Sequence, residues 1–134
     1  MKEINEERAQ KELEKGYENA AELLNNKDKM EEFLQNLEKK LEVIPVTGGT
    51  LSMIPTMISL IKSYIKKEYT NIPIGTIIAI ISALAYFLSP VDFIPDALPG
   101  VGLVDDATVI AVCLKLVKSD LEDYKKWRNI DLND

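Results

Sequence analysis

The sequence predicts an all-α protein, a compact bundle of about five helices in which amphipathic helices surround one fully apolar helix, Ile74 to Leu88. Three observations predict it. Apolar residues in the charged first third recur at steps of three and four, the spacing of one helix face. The run Ile72 to Leu88 carries no charge, as a helix buried on every side requires. The chain of 134 residues, 46% apolar and 28% charged, has the length of a single domain and the composition of a folded one.

Residues 1–44 hold twelve acidic and eight basic side chains and read as two charged amphipathic helices. In the first, Leu13, Tyr17, Ala20 and Leu24 form one stripe, which Gly16 weakens locally. The second carries Met30, Phe33, Leu34, Leu37, Leu41 and Ile44, and Asp28 with Glu31 three positions on has the form of a capping box. Both stripes read as faces packed on the rest of the domain; partner binding or self-association is the functional alternative. Pro45 to Thr50, with Gly48-Gly49, reads as a turn or short linker.

Residues 51–127 form the apolar helical core of the same expected domain. Leu51 to Tyr69 is helical in pattern, with Pro55 tolerated in a first turn and Met57, Leu60, Ile61, Tyr64 and Ile65 on the buried face. Lys62, Lys66 and Lys67 crowd its end, where cations complement the helix dipole; the sharper alternative is contact with a lipid headgroup. The uncharged run that follows could enter a membrane or fill a core through Ile77, Ile78, Ile81, Leu84 and Phe87. At 1.5 Å per residue, Ile74 to Leu88 covers only about 22 Å, against about 30 Å of hydrocarbon. A second span is harder still, because Lys115 interrupts Ala107 to Val117. The last helix reads as amphipathic, with Val109, Val112, Cys113, Leu116, Leu121 and Tyr124, and ends in a polar tail around Trp127.

Charge and composition narrow the function. A net charge of −6 offers no general attraction to phosphate backbones, so nucleic acid is not an expected partner. No histidine is present, which removes the commonest general base and transition-metal ligand. Cys113, the one cysteine, lies in an apolar run and suits a reducing compartment as a small buried hydrophobe. The charged, mixed-sign start lacks the apolar stretch of a secretory signal. The expected location is therefore the cytoplasm or the cytoplasmic side of a membrane, not the exterior.

The chemistry, if any, lies in Ser89-Pro-Val-Asp-Phe-Ile-Pro-Asp96 and its continuation to Asp105-Asp106. A hydrophobic helix ending in an aromatic, then Ser-Pro-x-Asp-x-x-Pro-Asp, a Pro/Gly-rich turn and Gly-x-x-Asp-Asp resembles the signature of the YkvA-type family, small helical proteins with a domain of unknown function. Tyr86 to Leu116 carries the pattern throughout. The resemblance implies no agreed activity. Family members are usually described as membrane-associated, and related segments occur in some membrane-anchored ubiquitin ligases.

On the residues alone, Ser89, Pro90 and Asp92 fit a capped helix start, Pro95 ends that short helix, and Asp96 pins the next turn. Asp105 and Asp106 open the last helix, where acceptors and negative charge are stabilising. In the functional alternative, turns at Pro99-Gly100 and Gly102 bring Asp92, Asp96, Asp105 and Asp106 together as oxygen ligands for Mg²⁺ or Ca²⁺. Three functions follow: a non-catalytic protein docked on or partly inserted into the cytoplasmic face of a membrane through Ile72 to Leu88, acting on a protein or lipid partner; a wholly soluble bundle that buries the same run and binds a protein partner through an amphipathic stripe; or a divalent-metal-dependent enzyme using the aspartates. No catalytic residue is assigned and no cofactor is required by the first two.

Overall fold

Where the first apolar stripe predicts one helix, the chain makes two. In the computed structural model, which describes residues 2–43, 49–88 and 106–133, α1 (Lys2–Lys15) stops one residue before α2 (Tyr17–Leu24). The break falls on the buried Gly16, whose N–H bonds the Leu13 carbonyl in a tightened turn at 3.1 Å. The stripe survives the break. Leu13 and Ala20 are fully buried, as is Ala9 one turn earlier, while Tyr17 and Leu24 pack on the core half-buried.

Helix α3 (Lys27–Val43) buries Met30, Phe33, Leu34 and Leu37, the face the periodicity predicts. Its start differs from the capping box at Asp28. Asn26 is the cap, its Oδ1 accepting the Lys29 N–H at 3.0 Å, and Asp28 lies inside the first turn, favourable to the helix dipole. The tight connection from α2, where the Asn26 N–H bonds the Leu23 carbonyl at 3.1 Å, sets this earlier register.

A 3₁₀ turn (Thr50–Met53) leads into α4 (Ile54–Ile65), with Pro55 in the first turn. Ile54, Met57, Ile58, Leu60 and Ile61 are buried. The helix ends earlier than Tyr69, in a two-bond closure: Glu68 N–H to the Ser63 carbonyl at 2.9 Å and Lys67 N–H to the Tyr64 carbonyl at 3.0 Å. Lys67 takes the left-handed position that this closure requires, with φ of 62°.

Helix α5 (Ile74–Leu88) is the centre of the bundle, and α1, α2, α3, α4 and α6 (Asp106–Asn133) all pack against it. Of the residues singled out on this helix, Ile77, Ile81, Leu84 and Phe87 are buried and Ile78 is half-buried. No helix among the described residues is long and apolar enough to cross a membrane. The uncharged run is thus a core helix here, wrapped by its amphipathic neighbours in an all-α bundle.

Helix α6 corrects two expectations. Val109, Val112, Cys113, Leu121 and Tyr124 are buried, but Leu116 is 52% exposed and Val117 takes the core position instead, four residues after Cys113 and four before Leu121. The helix also runs on to Asn133, past the end expected in the polar tail around Trp127. The turn expected at Pro45 falls largely outside the described residues, as do Ser89 to Asp105.

Candidate functional site

An apolar helix with no charges of its own leaves both dipole ends to be met from elsewhere. At the N-terminal end of α5, the Thr76 hydroxyl donates to Oδ2 of Asp120 on α6 at 2.6 Å, placing a carboxylate near the helix start. At the other end, Lys40 of α3 donates to the carbonyls of Phe87 and Leu88, and its ammonium lies 4.5 Å from the Phe87 ring centre. Inside the helix, the buried Ser82 hydroxyl donates to the Leu13 carbonyl at 2.6 Å. Neighbouring helices therefore hold α5 at both ends and in its middle. Its C-terminal end, clamped by Lys40, leads directly into Ser89.

Of the expected aspartate site, Asp92, Asp96 and Asp105 lie outside the described residues, as do Ser89, Pro90, Pro95, Pro99, Gly100 and Gly102. Asp106 is the first residue of α6. Among the described residues no group of three or more acidic or cysteine side chains could hold a metal ion. Cys113 is a core residue: fully buried, its thiol directed at the Ala79 carbonyl at 3.5 Å, with burial pushing its pKa up to about 12. It is too protonated at neutral pH to act as a nucleophile.

The described surface does hold a polar groove, of about 390 Å³, between α4 and the distal half of α6. Two pairs at i, i+4 spacing build it. Ser59 and Ser63 share one face of α4 with Lys62, Lys66 caps its end, and Tyr124 and Arg128 share one face of α6. Their hydroxyls meet: Tyr124 Oη lies 2.6 Å from Ser59 Oγ and 3.1 Å from Ser63 Oγ, while Arg128 Nη1 donates to it at 3.4 Å.

An aromatic wall backs the groove. Tyr69 and Tyr124 meet edge to face at 5.2 Å, and Trp127 lies 5.0 Å from Tyr69 and 5.8 Å from Tyr124. Burial raises the Tyr69 pKa, with the carboxylates of Asp123 and Asp120 adding to the effect. Lys62 is held by Glu38 of α3, whereas among the described residues no carboxylate is within ion-pairing distance of Lys66 or Arg128.

The sequence picks out Lys62 and Lys66 through the end of α4. It does not pick out Ser59, Ser63 or Arg128. The available signal was the matching i, i+4 spacing on two separate helices, which becomes a site only once α4 and α6 are paired.

The matching family model is centred on the aspartate segment. The family described as "Protein of unknown function (DUF1232)" matches residues 76–112, which run from α5 through the aspartate segment into α6. Ser59 to Lys66 and Tyr124 to Arg128 lie on either side of that stretch. The chain is 32% identical over 75 residues to the "Uncharacterized membrane protein YkvA" of Bacillus subtilis (strain 168), covering 56% of this chain and 71% of the relative. No solved structure matches the chain. With the Ser-Pro-x-Asp-x-x-Pro-Asp signature lying inside the matched stretch, the chain belongs to the YkvA-type family of proteins of unknown function.

Proposed function

We propose that the protein is a non-catalytic helical module that works on the cytoplasmic face of a membrane by surface contact with lipid or a protein partner, keeping α5 inside its own core. The observation that carries this reading is the burial of α5 by five other helices in a chain whose relative is named a membrane protein. Exposing α5 to lipid would strip the apolar faces of α1, α2, α3, α4 and α6 of their common partner at once. At about 25 cal/mol per Å² of apolar surface, that loss is large against the modest net stability of a small domain. Contact through the outer surface involves no such loss. The lone buried cysteine accords with a reducing, cytoplasmic setting.

The test is to fractionate a detergent-free lysate and wash the membrane pellet with alkaline carbonate. The expected result is a protein that pellets with membranes and is released by the wash. Retention after the wash would mean that α5 inserts and the bundle opens. Complete recovery in the first supernatant would favour a soluble partner-binding protein.

A further inference from the structure

We propose that the groove between α4 and α6 binds a phosphoryl oxyanion, with Lys66 and Arg128 as its charged donors and a serine hydroxyl as its neutral one. The first argument is a proton count at Tyr124. A phenolic oxygen donates one hydrogen bond and accepts two. Arg128 occupies one acceptor position. Of the two serine contacts, one must then use the second acceptor position and the other must receive the phenolic proton. The serine that receives it keeps its own hydroxyl proton uncommitted, beside a groove that it lines. The cluster therefore leaves one serine O–H unused by Tyr124 beside the groove, and no acceptor position on Tyr124.

The second argument is the charge that surrounds this donor. Lys66 and Arg128 line the same groove without a carboxylate partner among the described residues, and Glu68 is the one acid in the lining. The dipole of α4 accounts for lysines near its own end. It does not account for Arg128, which arrives from α6 and is oriented by Tyr124. A planar guanidinium, an ammonium and serine hydroxyls lining one concavity form a donor-rich, acceptor-poor set, which suits a tetrahedral dianion better than an amine, a metal ion or an apolar ligand. With a net charge of −6, the molecule as a whole repels anions, so recognition has to come from this local set rather than from a general field. The proposal does not depend on the membrane reading, since the shared chemistry is a phosphoryl group, carried either by a lipid headgroup or by a soluble ion.

Trp127, the one tryptophan of the chain, lines the groove and reports on it. The experiment follows its fluorescence in the full-length protein during titration with inorganic phosphate at constant ionic strength. It also follows flotation with phosphatidylcholine vesicles with and without phosphatidic acid. A saturable change with phosphate is expected, weakened about tenfold or more in Lys66→Gln and in Arg128→Gln and unchanged in the exposed Lys39→Gln. Flotation only with phosphatidic acid, competed by free phosphate, identifies a lipid headgroup as the source; saturable phosphate binding without flotation identifies a soluble ligand. No saturable response to either probe, or a response that Lys66→Gln and Arg128→Gln both leave intact, overturns the proposal. A protein that fractionates with membranes yet ignores phosphate would overturn this proposal alone, and the reverse pattern would overturn only the membrane reading.

Discussion

The hydroxyl of Ser82, in the middle of the apolar helix α5, donates to the carbonyl of Leu13 at 2.6 Å, bridging residues 69 apart at the point where the first helix breaks. Among the described residues Ser82 is a buried polar side chain surrounded by apolar core, and its partner carbonyl sits at the end of α1, where backbone acceptors lose their helical donors. The break at Gly16 and the serine of α5 thus satisfy each other. Replacing Ser82 with Ala removes the donor while Leu13 keeps the Gly16 N–H, so the expected loss is at the low end for a buried bond, about 1 kcal/mol. Urea unfolding measures it, as a lower midpoint at unchanged slope. A midpoint equal to wild type would mean that the bridge contributes nothing.

The two ends of α5 should respond independently. Lys40→Met keeps the aliphatic stem but removes the charge from the Phe87 and Leu88 carbonyls, and Asp120→Asn removes the charge near Thr76. Each is expected to lower stability by about 0.5–1 kcal/mol, with the two losses adding in the double variant because the ends are a helix length apart. Strong non-additivity would show that the effect is not a local one at each terminus.

Lys67 occupies a left-handed position that a glycine would take without steric penalty. Lys67→Gly is expected to raise stability by about 1 kcal/mol, seen as a higher denaturation midpoint. A destabilised variant would indicate that the Lys67 side chain makes a compensating contribution that exceeds its backbone strain.

Cys113 links stability to pH at the alkaline end. Its folded-state pKa is pushed up to about 12 from an ordinary 9.0 by burial. The folded chain holds this proton more tightly than the unfolded one, so the contribution is complete below about pH 9 and is lost as pH rises toward 12. At neutral pH a thiol–disulfide exchange reagent should label Cys113 no faster than the protein unfolds, and rapid labelling of the native protein would contradict its placement in the core.

Asp105 immediately precedes the first residue of α6. As the cap of that helix it should cost about 1 kcal/mol on replacement with Ala, and Mg²⁺ should not change the result. A loss that appears only with Mg²⁺ present would instead assign the aspartates to a cation.

Much of the architecture could be read from the order of residues alone. Ile74 to Leu88 reads as a wholly apolar helix that falls short of a bilayer, and α3 reads from five apolar side chains at helical spacing; that the apolar helix fills a core is decided by the five helices packed on it. The misreadings share a cause. Asp28 and Asn26 are both competent caps two positions apart, and only the tight turn after α2 selects Asn26. Leu116 and Val117 are adjacent and both apolar, and hydrophobicity cannot say which faces a neighbour until that neighbour is in place; the core takes Val117.

The sequence by itself determined the helical class, the apolar centre, the buried cysteine and the family signature, because each is written in residue type or in spacing within a few turns of chain. Tertiary structure alone decided that Ser82 meets Leu13, that Lys40 and Asp120 serve the ends of a helix not their own, and that Ser59, Ser63, Tyr124 and Arg128 form one groove. Helical periodicity carries information across i to i+4. Contacts between residues tens of positions apart depend on how whole helices pack, and no local pattern specifies that packing.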